Sequence, residues 1–205
     1  MHRYITLLAF SAFLPSSIAL ANDSAYTDVD FDACQKLSED EAGVALKCEG
    51  LKGYAIYFKE GDLRQSVSYG PLSKAYIDGA FESFTPFNRT GSKVEWRLDP
   101  SGKPVAAILR YFLENPDPET GASNPKLEGQ VLVISRVAQE EDGKSCVAGY
   151  VDALANRDAN ILARKIADDI APSFVCGKET PVYHGTRGPR AAEPGLYLPE
   201  EPTPQ

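Results

Sequence analysis

The residues able to do chemistry in this sequence are few, and their spacing limits what they can do. Cysteine occurs four times, at Cys34, Cys48, Cys146 and Cys176. There is no Cys-x-x-Cys pair and the intervals fit no zinc pattern, so two structural disulfides are favoured over redox or metal chemistry. Three pairings are open. Cys34 with Cys48 and Cys146 with Cys176 is favoured, because each bond then closes a compact local unit. Histidine occurs twice, at His2 and His184. His2 falls in a segment expected to be removed, and His184 lies among glycines and prolines, where an exposed loop residue is expected. One imidazole cannot make a multi-histidine metal site, and no Gly-x-Ser-x-Gly turn accompanies it to complete a nucleophilic triad.

Carboxylates and arginines remain. A histidine-independent, carboxylate-based hydrolase needs two carboxyl groups facing each other across roughly 5–10 Å. Asp62, Glu82, Glu95 and Asp152 are eligible, although solvated loops and wet strand faces account for most acidic residues. Arg64, Arg97, Arg110 and Arg136 fall on expected strands, and Arg110 and Arg136 interrupt very apolar runs. A guanidinium in such a place must find a carboxylate or meet an anionic ligand, and structural pairing is the commoner outcome. Tyr54, Tyr57, Tyr69 and Trp96 offer either an aromatic contact surface or, more simply at strand spacing, core packing. The candidate binding residues are therefore Arg64, Tyr69, Arg110 and Arg136. Residues 156–160 begin like a calcium loop, but Ile161 stands where glycine is needed and Ala167 where a bidentate glutamate belongs. No metal and no cofactor is expected. Asn88-Arg89-Thr90 fits a glycosylation sequon.

The elements that must position these residues are mostly strands. Residues 53–59 and 64–69 are rich in aromatic and β-branched types on either side of a turn, and predict a hairpin. Residues 37–43 suggest a turn or a short helical piece. Residues 75–84 carry a weak helical pattern, with Tyr76, Phe81, Phe84 and Phe87 expected to pack that stretch onto the core. Val94, Trp96 and Leu98 alternate with Lys93, Glu95 and Arg97, as a half-buried strand requires. Residues 105–113 are apolar at nearly every position, which predicts a central strand covered on both faces. Further strands are expected over 131–137 and 146–151. One helix is expected over 156–171, with Asn156 as its cap. Its stripe is Leu162, Ala163, Ile166, Ala167, Ile170 and Ala171, and Arg164, Lys165, Asp168 and Asp169 are expected to face away. The fold class expected is α+β: one antiparallel sheet of five or six strands, the C-terminal helix packed on one face, and two disulfides.

Residues 1–21 read as an export signal: a basic start, an apolar run over 5–14, and the small-x-small pattern Ala19-Leu20-Ala21. That run is too short to cross a bilayer as a helix. The single disulfide-bonded domain is expected over 22–177, and 178–205 is expected to be a Pro- and Gly-rich flexible tail. The net charge of −8 disfavours nucleic acid as a partner.

Gly61-Asp62-Leu63-Arg64, Val67-Ser68-Tyr69-Gly70, Glu95-Trp96-Arg97-Leu98 and Tyr150-Val151-Asp152-Ala153 occur together in this order. In these segments, over roughly residues 28–176, the chain resembles small exported bacterial proteins that carry no assigned activity. The resemblance implies a periplasmic or secreted setting and carries over no catalytic residue. The functional expectation is a soluble periplasmic binding or interaction module for a basic protein or cationic ligand. Its partner would be an envelope protein or a small ligand, without nucleic acid and without membrane insertion.

Overall fold

The computed structural model describes residues 23–200. The proposed export signal and the last five residues lie outside the described residues. The elements are β1 (Asp23–Asp28), β2 (Gln35–Asp40), β3 (Gly43–Leu51), β4 (Tyr54–Gly61), β5 (Arg64–Tyr69), α1 (Lys74–Gly79), β6 (Phe81–Phe84) and β7 (Asn88–Thr90). They continue with β8 (Lys93–Leu98), β9 (Pro104–Leu113), β10 (Gly129–Arg136), β11 (Cys146–Asp152), α2 (Ala159–Asp169), β12 (Val182–Tyr183) and β13 (Pro194–Tyr197).

The strands form two main sheets, where sequence had suggested one. The larger has seven strands in the order β1-β8-β9-β10-β11-β12, with β7 also paired to β9. It is mixed, because β12 runs parallel to β11 while the other pairings are antiparallel. The aromatic-rich hairpin belongs to a separate four-stranded sheet, β2-β3-β4-β5. The segment read as a turn or helical piece is the β2–β3 hairpin, which turns at Glu41 and Ala42. Asp62 and Leu63 make the β4–β5 turn with φ of 49° and 56°. This is the left-handed pair that a two-residue hairpin loop demands.

Side-chain alternation on β9 explains how three layers stack. Ala107, Leu109, Tyr111 and Leu113 point into one core, shared with Ile56, Phe58, Val67 and Tyr69 of the small sheet. Ala106 and Ile108 point the other way and join Leu132 and Ile134 of β10 beneath Ala163, Ile166 and Ala167 of α2. The central strand is thus buried on both faces, as its unbroken apolar run requires. Helix α2 is shorter than the expected span. Asn156 does not cap it; the residue at the N-cap is Asp158.

Both disulfides join the cysteines that locality favoured, Cys34 to Cys48 and Cys146 to Cys176. The second ties β11 to the segment that follows α2.

The stretch beyond Cys176 departs from the expected detached tail. Val182 and Tyr183 pair with β11, and Pro194 to Tyr197 pair with β6. Asn156 Nδ2 donates to the carbonyl of Thr186 at 2.7 Å, and Gly188 N donates to buried Asp152 at 2.8 Å. His184 is half-buried, its backbone N–H bonded to Tyr150 O at 2.8 Å. Its ring lies over Gly149, where a Cβ would come within 3.0 Å of it. A side chain at position 149 would crowd both the His184 ring and Ile166 of α2. Backbone pairing and single anchors hold this segment, and neither leaves a periodic signature in sequence.

Candidate functional site

The helix-side face of the large sheet is only partly covered by α2. Tyr26 on β1 stands opposite Glu95 on β8, Glu95 opposite Ile108 on β9, and Arg110 opposite Leu132 on β10. These residues share one face because directly paired residues point the same way. Strands β7 and β8 both pair with β9 but break at Gly91 and Ser92, where Gly91 N donates to the carbonyl of Arg110 at 2.8 Å. The break and the end of the helix leave a groove of about 370 Å³. Ile108, Leu132 and Phe112 are among its lining residues, with Tyr26, Arg110 and Arg164.

Arg110 is the residue that sets the chemistry of this groove. Its Nη1 donates to Gln130 Oε1 at 3.0 Å and its Nη2 reaches Asn160 Oδ1 at 3.4 Å. Both acceptors are neutral amides. Among the described residues no carboxylate pairs with it, although it is half-buried on an apolar strand. Burial lowers its pKa from the ordinary arginine value, so the charged form is left short of compensation.

The neighbouring cations are each served. Arg164 Nε donates to Glu95 Oε1 at 2.6 Å, Lys93 lies 3.2 Å from Asp28, and Arg89 donates to Glu128 at 2.9 Å. Arg89 also stacks over Phe112, 4.0 Å from the ring centre. The bond to Glu95 raises the Arg164 pKa. Deeper in the layer, Arg97 grips Asp168 with two bonds of 2.7 Å. Arg164 and Asp168, expected to face away, therefore reach from the margins of the helix stripe to acidic and basic partners on β8. They are four residues apart and so lie on one side of α2.

The other candidates are placed apart from this groove. Arg64 donates twice to the carbonyl of Thr85, pairs with Asp62 and stacks on Phe87 at 5.0 Å. Arg136 is bound to Asp142 and to the carbonyl of Lys144. Tyr69 is buried in the core edge-on to Trp96, their ring centres 5.5 Å apart. Arg64 and Arg136 line separate, smaller grooves of about 240 and 200 Å³, and the structure does not bring these three side chains together with Arg110. Asn88 is buried, with its side chain bonded to Ser83, Gln65 and Pro86, so the sequon side chain is committed to the interior.

The four eligible carboxylates are also occupied. Asp62 is exposed beside Arg64, Glu95 is held by Arg164, and Asp152 caps the backbone of Leu154, Ala155 and Gly188. Glu82 is buried on β6 and accepts from Val147 N at 2.9 Å, at the irregular stretch of β11. Burial pushes its pKa up to about 8, so the carboxyl is largely protonated at neutral pH. The described contacts place no two of these acids face to face across a cleft.

Sequence reasoning singled out Arg110 but missed Tyr26, Lys93, Asn160 and Arg164. A charge inside an apolar run was the available signal for Arg110. Nothing comparable marks the others, which come from β1, β8 and α2. No family model, curated protein or solved structure matches the chain.

Proposed function

We propose that the protein is a binding module of the space outside the cytoplasm, and that the groove beside α2 is its ligand site, built for an anionic group. The single observation that carries this reading is Arg110: a half-buried guanidinium whose partners among the described residues are neutral amides, beside a groove of small-molecule size. An arriving anion would supply the missing counter-charge and take charge-assisted hydrogen bonds from the free guanidinium N–H groups. The net charge of −8 argued for a cationic ligand. Screening confines that overall field to about 8–10 Å at physiological salt, so the local imbalance at Arg110 decides what the groove prefers. The two disulfides support an oxidising compartment, in line with the proposed export signal.

The test is a titration of the isotope-labelled protein with sodium acetate, followed by amide and arginine side-chain NMR. Saturable shifts at Gly91, Lys93, Arg110 and Asn160 in the native protein, lost in Arg110→Gln, are expected. Equal responses from the native protein and the variant would overturn the reading.

A further inference from the structure

The charges and surfaces around Arg110 narrow the class of ligand. Lys93, Arg164 and Arg89 each have a carboxylate of their own, Asp28, Glu95 and Glu128 respectively. Arg110 alone contributes an uncompensated charge among these four, so the site is balanced by one negative charge. A dianion would bring a second charge for which no cation among these four is spare, into a groove that Glu95 also lines.

The polar groups beside Arg110 are used as its acceptors. Gln130 and Asn160 turn their carbonyl oxygens toward the guanidinium, which directs their amide NH₂ groups elsewhere. A planar carboxylate can use two parallel guanidinium N–H groups. The rest of the lining is mixed: Ile108, Leu132, Phe112 and Tyr26 give it apolar surface, and Ser92, Lys93, Glu95, Asn160 and Arg164 give it polar groups. An apolar body on the ligand would complement Ile108, Leu132, Phe112 and Tyr26, while its charged end meets Arg110.

Building on the anion reading, we infer that the groove binds a small monocarboxylic acid with an aromatic or branched apolar body. The carboxylate meets Arg110 and the body lies over Ile108, Leu132 and Phe112. A volume of about 370 Å³ falls at the lower end of the range for small-molecule pockets, which favours a free metabolite-sized acid over a segment of another protein.

The experiment compares four probes by NMR titration against the full protein: phenylacetate, 2-phenylacetamide, phenyl phosphate and acetate. Phenylacetate is expected to bind at least about tenfold more tightly than each of the others, since the amide lacks the charge, acetate lacks the body and phosphate carries excess charge. Arg110→Gln is expected to reduce phenylacetate affinity by at least about tenfold. Arg110→Lys, which keeps the charge without the fork, is expected to fall between them. Thermal melts of both variants confirm that the fold is retained.

Phenyl phosphate matching phenylacetate would overturn the carboxylic-acid class, and acetate matching it would overturn the apolar body; either leaves the anion reading intact. Phenylacetamide matching it, or no binding by any probe, would overturn both. An acidic aromatic peptide such as Ac-Glu-Phe-Glu-NH₂ binding more tightly than phenylacetate would reassign the groove to a protein partner.

Discussion

Replacing Glu82 by glutamine should remove a specific component of the protein's pH-dependent stability. The carboxyl is buried between β6 and β11, accepts the Val147 N–H at 2.9 Å, and has its pKa raised from the ordinary 4.5 to about 8 by burial. The folded state therefore holds this proton more tightly than the unfolded chain does. Below pH 4.5 both states are protonated and the stabilising contribution of the neutral acid is fully present. As pH rises from 4.5 toward 8 the unfolded chain releases the proton while the folded one retains it, and stability falls by about 1.4 kcal/mol per pH unit. The decline ends once the folded-state group ionises.

Integrated over that window the loss is roughly 5 kcal/mol, an upper bound because β6 can loosen and admit water to the charge. Glutamine keeps an acceptor for Val147 and a donor in place of the carboxyl O–H, so it mimics the protonated acid at every pH. Urea unfolding of the native protein and Glu82→Gln should give similar stabilities near pH 4.5. The variant should become progressively more stable than the native protein, by a few kcal/mol, as pH approaches 8. Taking the difference between the two curves cancels the titration of every other group that the substitution leaves alone. Parallel curves across this range would refute the assignment of a buried, neutral Glu82.

Two further substitutions probe the layers around the groove. Arg97→Ala removes the buried guanidinium from the pair with Asp168, whose own side chain keeps 23% exposure. Urea unfolding should register a loss of about 2–3 kcal/mol, below the roughly 3–5 kcal/mol of a fully buried pair because water still reaches Asp168, and a loss under about 1 kcal/mol would show that the pair does not tie α2 to β8 in solution. Leu63→Gly relieves a left-handed conformation at φ 56° in an exposed side chain. It should stabilise by about 1 kcal/mol, raising the melting midpoint by roughly 2–4 °C; a lower midpoint would mean that Leu63 makes contacts worth more than its backbone costs.

Much of the architecture was legible because it rests on local chemistry. The apolar run through Ala106, Ile108 and Leu109 announced a strand covered on two sides, and the two disulfides followed from the compact loops they close. The division into two sheets was not legible. The hairpin around Asp62 has the same alternation whichever sheet its strands join, and only the packing of Ile56 and Phe58 against Leu109 and Tyr111 assigns it. The return of residues 182–197 was hidden for a different reason: it is fixed by backbone pairing, by Asn156 and by Asp152, none of which creates a hydrophobic period.

At the site, Arg110 stood out as a charge that its strand could not easily bury. Arg136 carried the same signal but found Asp142 six residues away, and sequence offers no rule to tell those two fates apart. Arg164 and Asp168 looked solvent-facing on a helical wheel, yet long side chains at the edge of an apolar stripe can bend down to the layer beneath. The groove also depends on the break at Gly91 and Ser92, which interrupts the pairing beside Arg110.

The most direct measurement of the central claim is the Arg110 side-chain Nε–Hε resonance, followed while phenylacetate is added to the native protein. A saturable shift of that resonance, accompanied by Gly91 and Asn160 and with Arg64 and Arg136 unmoved, is the predicted result. An unmoved Arg110 resonance, or equal shifts at all three arginines, would contradict the assignment of the groove as an anion-binding site.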